Sequence, residues 1–122
     1  MTDKDWIGFV TIKAFPPSIE AHPWTEFEGE SEPLQVIQDA VGGYIEMVRT
    51  AIPGVHMYCN EEGKLRNLPG NRAATALLSE YHRDVIVGDV IVLRDGQAGE
   101  EAPLTATDLA RMMRIMGLTD GT

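Results

Sequence analysis

The chain has a single cysteine, few basic residues and no long apolar run, and each shortage removes a class of protein. Cys59, alone among 122 residues, excludes an internal disulfide and any multi-cysteine metal site. No apolar stretch approaches the roughly 20 residues of a membrane-spanning helix. Ten Lys and Arg stand against 19 Asp and Glu, a formal charge of −9. Binding along a nucleic-acid backbone needs basic surface to displace counterions, so none is expected here. His22, His56 and His82 are scattered, without the HExxH or His-x-His spacing of a metal site. No phosphate-loop, dinucleotide or nucleophile-elbow motif occurs, and no cofactor is expected. The opening MTDKDW is charged where a signal peptide would be apolar, which points to a cytoplasmic location.

What is present is the balance of an ordinary globular chain, 43% apolar and 24% charged. The length suits one domain over 1–122 with a modest core, and no repeat or linker divides it. WIGFVTIKAF (6–15) is β-branched and aromatic and stops at Pro16-Pro17, which predicts a strand. Pro16 to Pro33 holds four of the seven prolines and five glutamates, so 16–32 is expected to be a long acidic surface loop. Trp24 and Phe27 would pin that loop to the core or take part in binding. Ser31 ahead of Glu32-Pro33 predicts a helix start, with Leu34, Ile37 and Val41 inward and Gly42-Gly43 as its stop.

YIEMV predicts a strand with Tyr44 and Glu46 on one face and Ile45 and Met47 on the other. Pro53-Gly54 marks a turn. VHMYCN and KLRNL flank EEG as a hairpin, with Gly63 in a left-handed turn position. Asn71 reads as the N-cap of a helix RAATALLSEY whose Ala74, Leu77, Leu78 and Tyr81 point inward. DVIVGDVIVL is either two short strands joined at Gly88-Asp89 or one strand bent by a bulge. Thr105 with Asp108 resembles a capping box, opening a helix with Leu109, Met112, Met113 and Met116; residues 118–122 are expected to fray. The sum is an α+β fold, a small mixed or mainly antiparallel sheet with two or three short helices packed on it.

Charge is polarised along the chain. Between Lys13 and Arg49 there is no basic residue against seven acids, and from Arg49 to Arg83 five basic residues meet Glu61, Glu62 and Glu80. A helix starting near Asn71-Arg72 presents free N–H groups, and Arg72 adds a forked donor suited to phosphate or carboxylate. The alternative is that Asn71 only caps its helix while Arg72 pairs with Glu61 or Glu62. His56 and Cys59 stand three apart on one expected strand and so face opposite ways, which disfavours a Cys–His pair. Glu46 and Glu61 could meet as paired carboxylates, but no spacing requires it, and solvated charges are the simpler reading.

The strings LQVIQDAVGGYIEMV, YCNEEGKLRNLPGNRAAT, DVIVGDVIVL and LTATDLARMM resemble a family of small proteins known as a domain of unknown function, found in bacteriophages, actinobacteria and mobile elements. The resemblance covers about residues 34–110. It rests on Gly42, Gly43, Tyr44, Ile45, Glu46, Asn60, Glu61, Gly63, Lys64, Asn71, Arg72, Ala74, Thr75, Gly88 and Asp89. The acidic stretch 16–32 departs from the pattern. The resemblance implies a phage or mobile-element setting and, through it, a counter-defence role.

Three functions follow as expectations. The first is a non-enzymatic binding protein that captures a small anionic, nucleotide-like ligand with Tyr44, Glu46, Asn60, Glu61, Lys64, Asn71, Arg72 and Thr75; such pockets often form between subunits, and the Met-rich helix offers a surface for a homo-oligomer. The second is an acidic interaction module that inhibits a host DNA-acting or defence protein through Glu20 to Glu32. The third is an enzyme with Glu46 or Glu61 as base.

Overall fold

The structure is a computed structural model that describes residues 6–29, 32–79 and 84–118. Strand β1 (Trp6–Ala14) turns through Phe15-Pro16 into β2 (Pro17–His22), pairing Ala14 with Pro17 and Phe9 with His22. Helix α1 (Trp24–Phe27) and helix α2 (Pro33–Val41) follow. Next come β3 (Ile45–Arg49), β4 (Val55–Asn60) and a short α3 (Arg72–Ala76). The chain closes with β5 (Val90–Asp95), β6 (Glu101–Ala102), β7 (Leu104–Thr105) and α4 (Ala106–Ile115). Every strand pairing is antiparallel, in the order β2-β1-β5-β4-β3, with β6 on β5 and β7 on β1. The class is α+β, as the sequence predicts, with four helices among the described residues rather than two or three.

The central strand explains the apolar run around it. Val90, Ile91, Val92 and Leu93 are each fully buried because the sheet is covered on both faces. Val90 and Val92 join a core with Ala74, Leu77 and Leu78 near α3 and Met112 of α4. Ile91 and Leu93 join a second core with Phe27 of α1 and Ile37 and Val41 of α2. Alternation along one strand therefore feeds two layers of helix.

The expected acidic loop at 16–32 is instead mostly ordered secondary structure. β2 is an edge strand, where Pro17 can begin the strand and Glu20 can face solvent without breaking a ladder on both sides. Phe27 is buried, stacked on Trp24 at 4.7 Å and edge-on to Phe9 at 5.9 Å, so the aromatics pin this segment to the core. Glu30 and Ser31 lie outside the described residues, and Glu32 occupies the N-cap position of α2, with Pro33 in its first turn. Leu34, expected inward, is 53% exposed, because the helix turns Ile37 and Val41 toward the sheet, with Val36 and Ala40 packed beside them. Gly42 ends the helix at φ 78°, a left-handed position that only glycine adopts cheaply.

The expected hairpin of VHMYCN with KLRNL does not form. β4 pairs with β3 and β5 on its two sides, leaving no free edge for a third strand. Residues 61–67 turn instead, through Arg66 N to Glu62 O (2.9 Å) and Leu68 N to Gly63 O (3.0 Å). The left-handed residue there is Asn67, φ 54°, while a Cβ at Gly63 would meet Val87 Cγ2 at 2.7 Å. Gly63 serves close packing, not turn geometry. Helix α3 stops at Ala76, short of the expected length, because Leu77 and Leu78 turn into the core and Leu78 bridges Thr50. Tyr81 falls outside the described residues. Ahead of β5, Val87 makes one bridge with Gly70 before Gly88 turns the chain, so DVIVGDVIVL is one strand preceded by a bridge.

Candidate functional site

The eight residues expected to bind a ligand do not converge on one pocket. Three are consumed by the fold. Asn71 is 2% exposed; its Oδ1 accepts from Ala74 N–H (3.1 Å) while Nδ2 donates to Ile12 O (2.9 Å) and Gly88 O (2.8 Å). Thr75 donates to Asn71 O (2.8 Å) and accepts from Ile86 N–H (2.9 Å). Asn60, also buried, donates to Val41 O (3.2 Å) and accepts from Glu62 N–H (2.8 Å). These side chains tie α3, β1, α2 and the turn after β4 together.

The other five are exposed and divide among three places, with Glu46, Glu61 and Lys64 brought together and Tyr44 and Arg72 apart from them. Tyr44 lies in a shallow groove with Gln38, Asp39 and Glu62. Glu46, Glu61 and Lys64 line, with Asn60 and Cys59, a narrow cleft of about 120 Å³. Lys64 is ion-paired there with Asp84. Arg72 borders a much larger hollow of about 800 Å³ between the β1–β2 hairpin, the start of α3 and the end of α4. Arg72 makes no ion pair among the described residues, with Glu61 and Glu62 included.

The hollow is built mostly of apolar groups: Ile12, Ala14, Ile19, Ala76, Met113 and Met116. Leu118 adds to the rim, held by its amide to Met113 O at 2.8 Å. Strand alternation buries Ile12 and Ala14 on this side, and the exposed Lys13 between them also lines the hollow. Lys13 and Arg72 are thus the cations that an entering anion meets. Helix α3, with five residues, contributes little dipole, and its cap has already taken the Ala74 amide. The sequence pointed to Arg72 but missed the hollow, since Met113 and Met116 read as core or dimer seam and Pro17 to Ile19 as loop.

A second constellation escaped the sequence altogether. His56, 4% exposed on β4, places Nδ1 2.5 Å from Asp95 Oδ1 and Nε2 2.6 Å from Glu101 Oε1. Tyr58 donates to Glu101 Oε2 at 2.5 Å, and Arg49 Nη1 to Asp95 Oδ2 at 2.6 Å. Burial opposes charge on His56, but hydrogen bonds and charge from Glu101 and then Asp95 outweigh it and raise the imidazole above its ordinary 6.5. Burial and Glu101 likewise raise the Tyr58 hydroxyl, keeping it a donor. Cys59 faces the opposite side of β4, in the core with Met57 and Val55, as the strand alternation requires. Burial pushes its thiol up to about 11. Among the described residues, no cluster of His, Cys, Asp and Glu is arranged to hold a metal ion, and no helix is long and apolar enough to cross a membrane.

These features define a small antiparallel α+β protein with an open apolar hollow bordered by one arginine. Residues 13–117 match the Domain of unknown function (DUF3846), and the chain belongs to that family. No curated protein and no solved structure matches it.

Proposed function

We propose that the protein is a non-enzymatic binding protein that captures a small anionic, nucleotide-like ligand in the hollow beside Arg72. The observation that carries this reading is the hollow itself, about 800 Å³ and mostly apolar, within the size range of small-molecule sites. Ile12, Ile19 and Ala76 suit a flat apolar group such as a base, and Met113 and Met116 can adapt their shape to it. The Arg72 guanidinium suits phosphate or carboxylate. The net charge of −9 opposes an anion, so the local cations decide affinity and salt weakens it. The phage, actinobacterial and mobile-element setting that the sequence resembles supplies the biological half: holding a nucleotide signal without turnover is a counter-defence strategy.

A second reading has its own observation. Glu20 on the edge strand β2 and Glu26 and Glu28 beside it are exposed, an acidic edge suited to docking a host DNA-acting or defence protein. Native mass spectrometry with a panel of cyclic and linear nucleotides tests the first. A stoichiometric adduct is expected with the wild type and should vanish in Arg72→Ala and in Ala76→Trp, which fills the hollow. A clean spectrum across the panel overturns it and leaves the acidic edge, tested by pull-down with Glu20, Glu26 and Glu28 reversed to Lys.

A further inference from the structure

The two ring nitrogens of His56 contact carboxylates carried by different elements, Asp95 at the end of β5 and Glu101 in β6. Carboxylate oxygens only accept, and a neutral imidazole has one N–H, so both contacts together need both nitrogens protonated. A neutral ring would turn a lone pair toward one of the carboxylates. We propose that His56 is a pH-dependent latch: as an imidazolium it holds β6 against the sheet, and on losing its proton it lets β6 go.

The surroundings say which end opens. The charged and titratable groups facing His56 are Arg49 from β3, Tyr58 from β4, Asp95 from β5 and Glu101 from β6. Asp95 keeps the Arg49 guanidinium when His56 becomes neutral; Glu101 keeps only the Tyr58 hydroxyl. Glu101 is therefore the arm that releases. β6 has just two residues, with Arg94 opposite Ala102 and Asp95 opposite Glu101, so its ladder alone is a weak hold. The turn before it is closed by Gly96 N to Glu100 O at 2.7 Å and by Ala98 N to Glu100 Oε1 at 2.8 Å. After it the chain runs through Pro103 and β7 into α4, whose Met113 and Met116 wall the hollow.

The sign follows from the raised imidazole. The latch is fully closed below the ordinary histidine value of 6.5 and opens as pH rises through the higher folded value. Hydrogen exchange by NMR on the full chain, corrected for base catalysis, tests it alongside the ring nitrogen shifts of His56. The amides of Gly96 and Ala102 should lose protection along the same titration as the ring, while Val92 and Met57 keep theirs. Below the midpoint both ring nitrogens should carry protons. In Glu101→Gln the midpoint should fall by about 1 unit or more, with one carboxylate charge gone. In His56→Gln the Gly96 and Ala102 amides should be poorly protected at every pH. Constant β6 protection across the titration, a single ring proton below the midpoint, or an unmoved midpoint in Glu101→Gln would each overturn the latch. The wild-type and Glu101→Gln measurements decide it even if His56→Gln does not fold.

Discussion

Asn71 makes three hydrogen bonds from one buried side chain, and Thr75 extends the set to the Ile86 amide. Replacing Asn71 by Ala strands two carbonyls and an N–H, each costing about 1–3 kcal/mol when buried and unpaired. A loss of roughly 3 kcal/mol or more is expected in urea unfolding. Thr75→Val keeps the shape but strands the Ile86 amide, and should cost about 1–2 kcal/mol. Arg72→Ala, by contrast, should leave unfolding nearly unchanged, since surface substitutions usually stay within about 0.5 kcal/mol. That contrast separates the residues that build the fold from the one free to meet a ligand. Cys59 gives a further check. Buried, with its thiol pushed up to about 11, it is protonated at neutral pH. A thiol reagent should label it in the unfolded chain at once and in the native chain only as fast as the fold opens.

Helix α4 shows how one side chain can serve two elements. Thr105 and Asp108 form the reciprocal cap, with Thr105 N to Asp108 Oδ2 at 2.9 Å and Asp108 N to Thr105 Oγ1 at 3.0 Å. Asp108 also takes Arg94 of β5 through two bonds, 2.8 and 2.6 Å, which fixes the helix to the sheet. Thr105→Ala should cost about 1 kcal/mol, the usual value of a lost cap. Asp108→Ala should cost about 3–5 kcal/mol, because it removes both the cap and the partner of a partly buried guanidinium. Equal losses in the two variants, measured by denaturant unfolding, would show that Arg94 simply swings into solvent.

For the whole molecule, ionisation sets a stability window. His56 is raised, so its contribution is complete below 6.5 and is lost as pH rises through its folded value. Asp108 is lowered: burial works against its charge, but the Arg94 and Thr105 bonds prevail. Its contribution is complete above 3.8 and is lost as pH falls through its folded value. Asp95 acts in the same direction but is more than a third open to solvent, so its share is smaller. Thermal unfolding across pH should therefore peak between 3.8 and 6.5, with His56→Gln removing the alkaline decline and sparing the acid one.

The elements that the sequence determined by itself are those settled within a few residues. Asn71 as a cap, the Thr105–Asp108 box, the helix stop at Gly42 and the alternation that separates His56 from Cys59 all depend on local geometry, and all are present. What tertiary structure alone decided lies across long separations. The stretch 16–32 became an edge strand and a helix because β1 was there to pair with and Phe9 to pack on. The hollow exists only where the hairpin, α3 and α4 meet. The partners of His56 stand 39 and 45 residues away, and no local pattern of spacing or charge could announce them. Propensity and turn chemistry act between neighbours in sequence, whereas a site is made by neighbours in space.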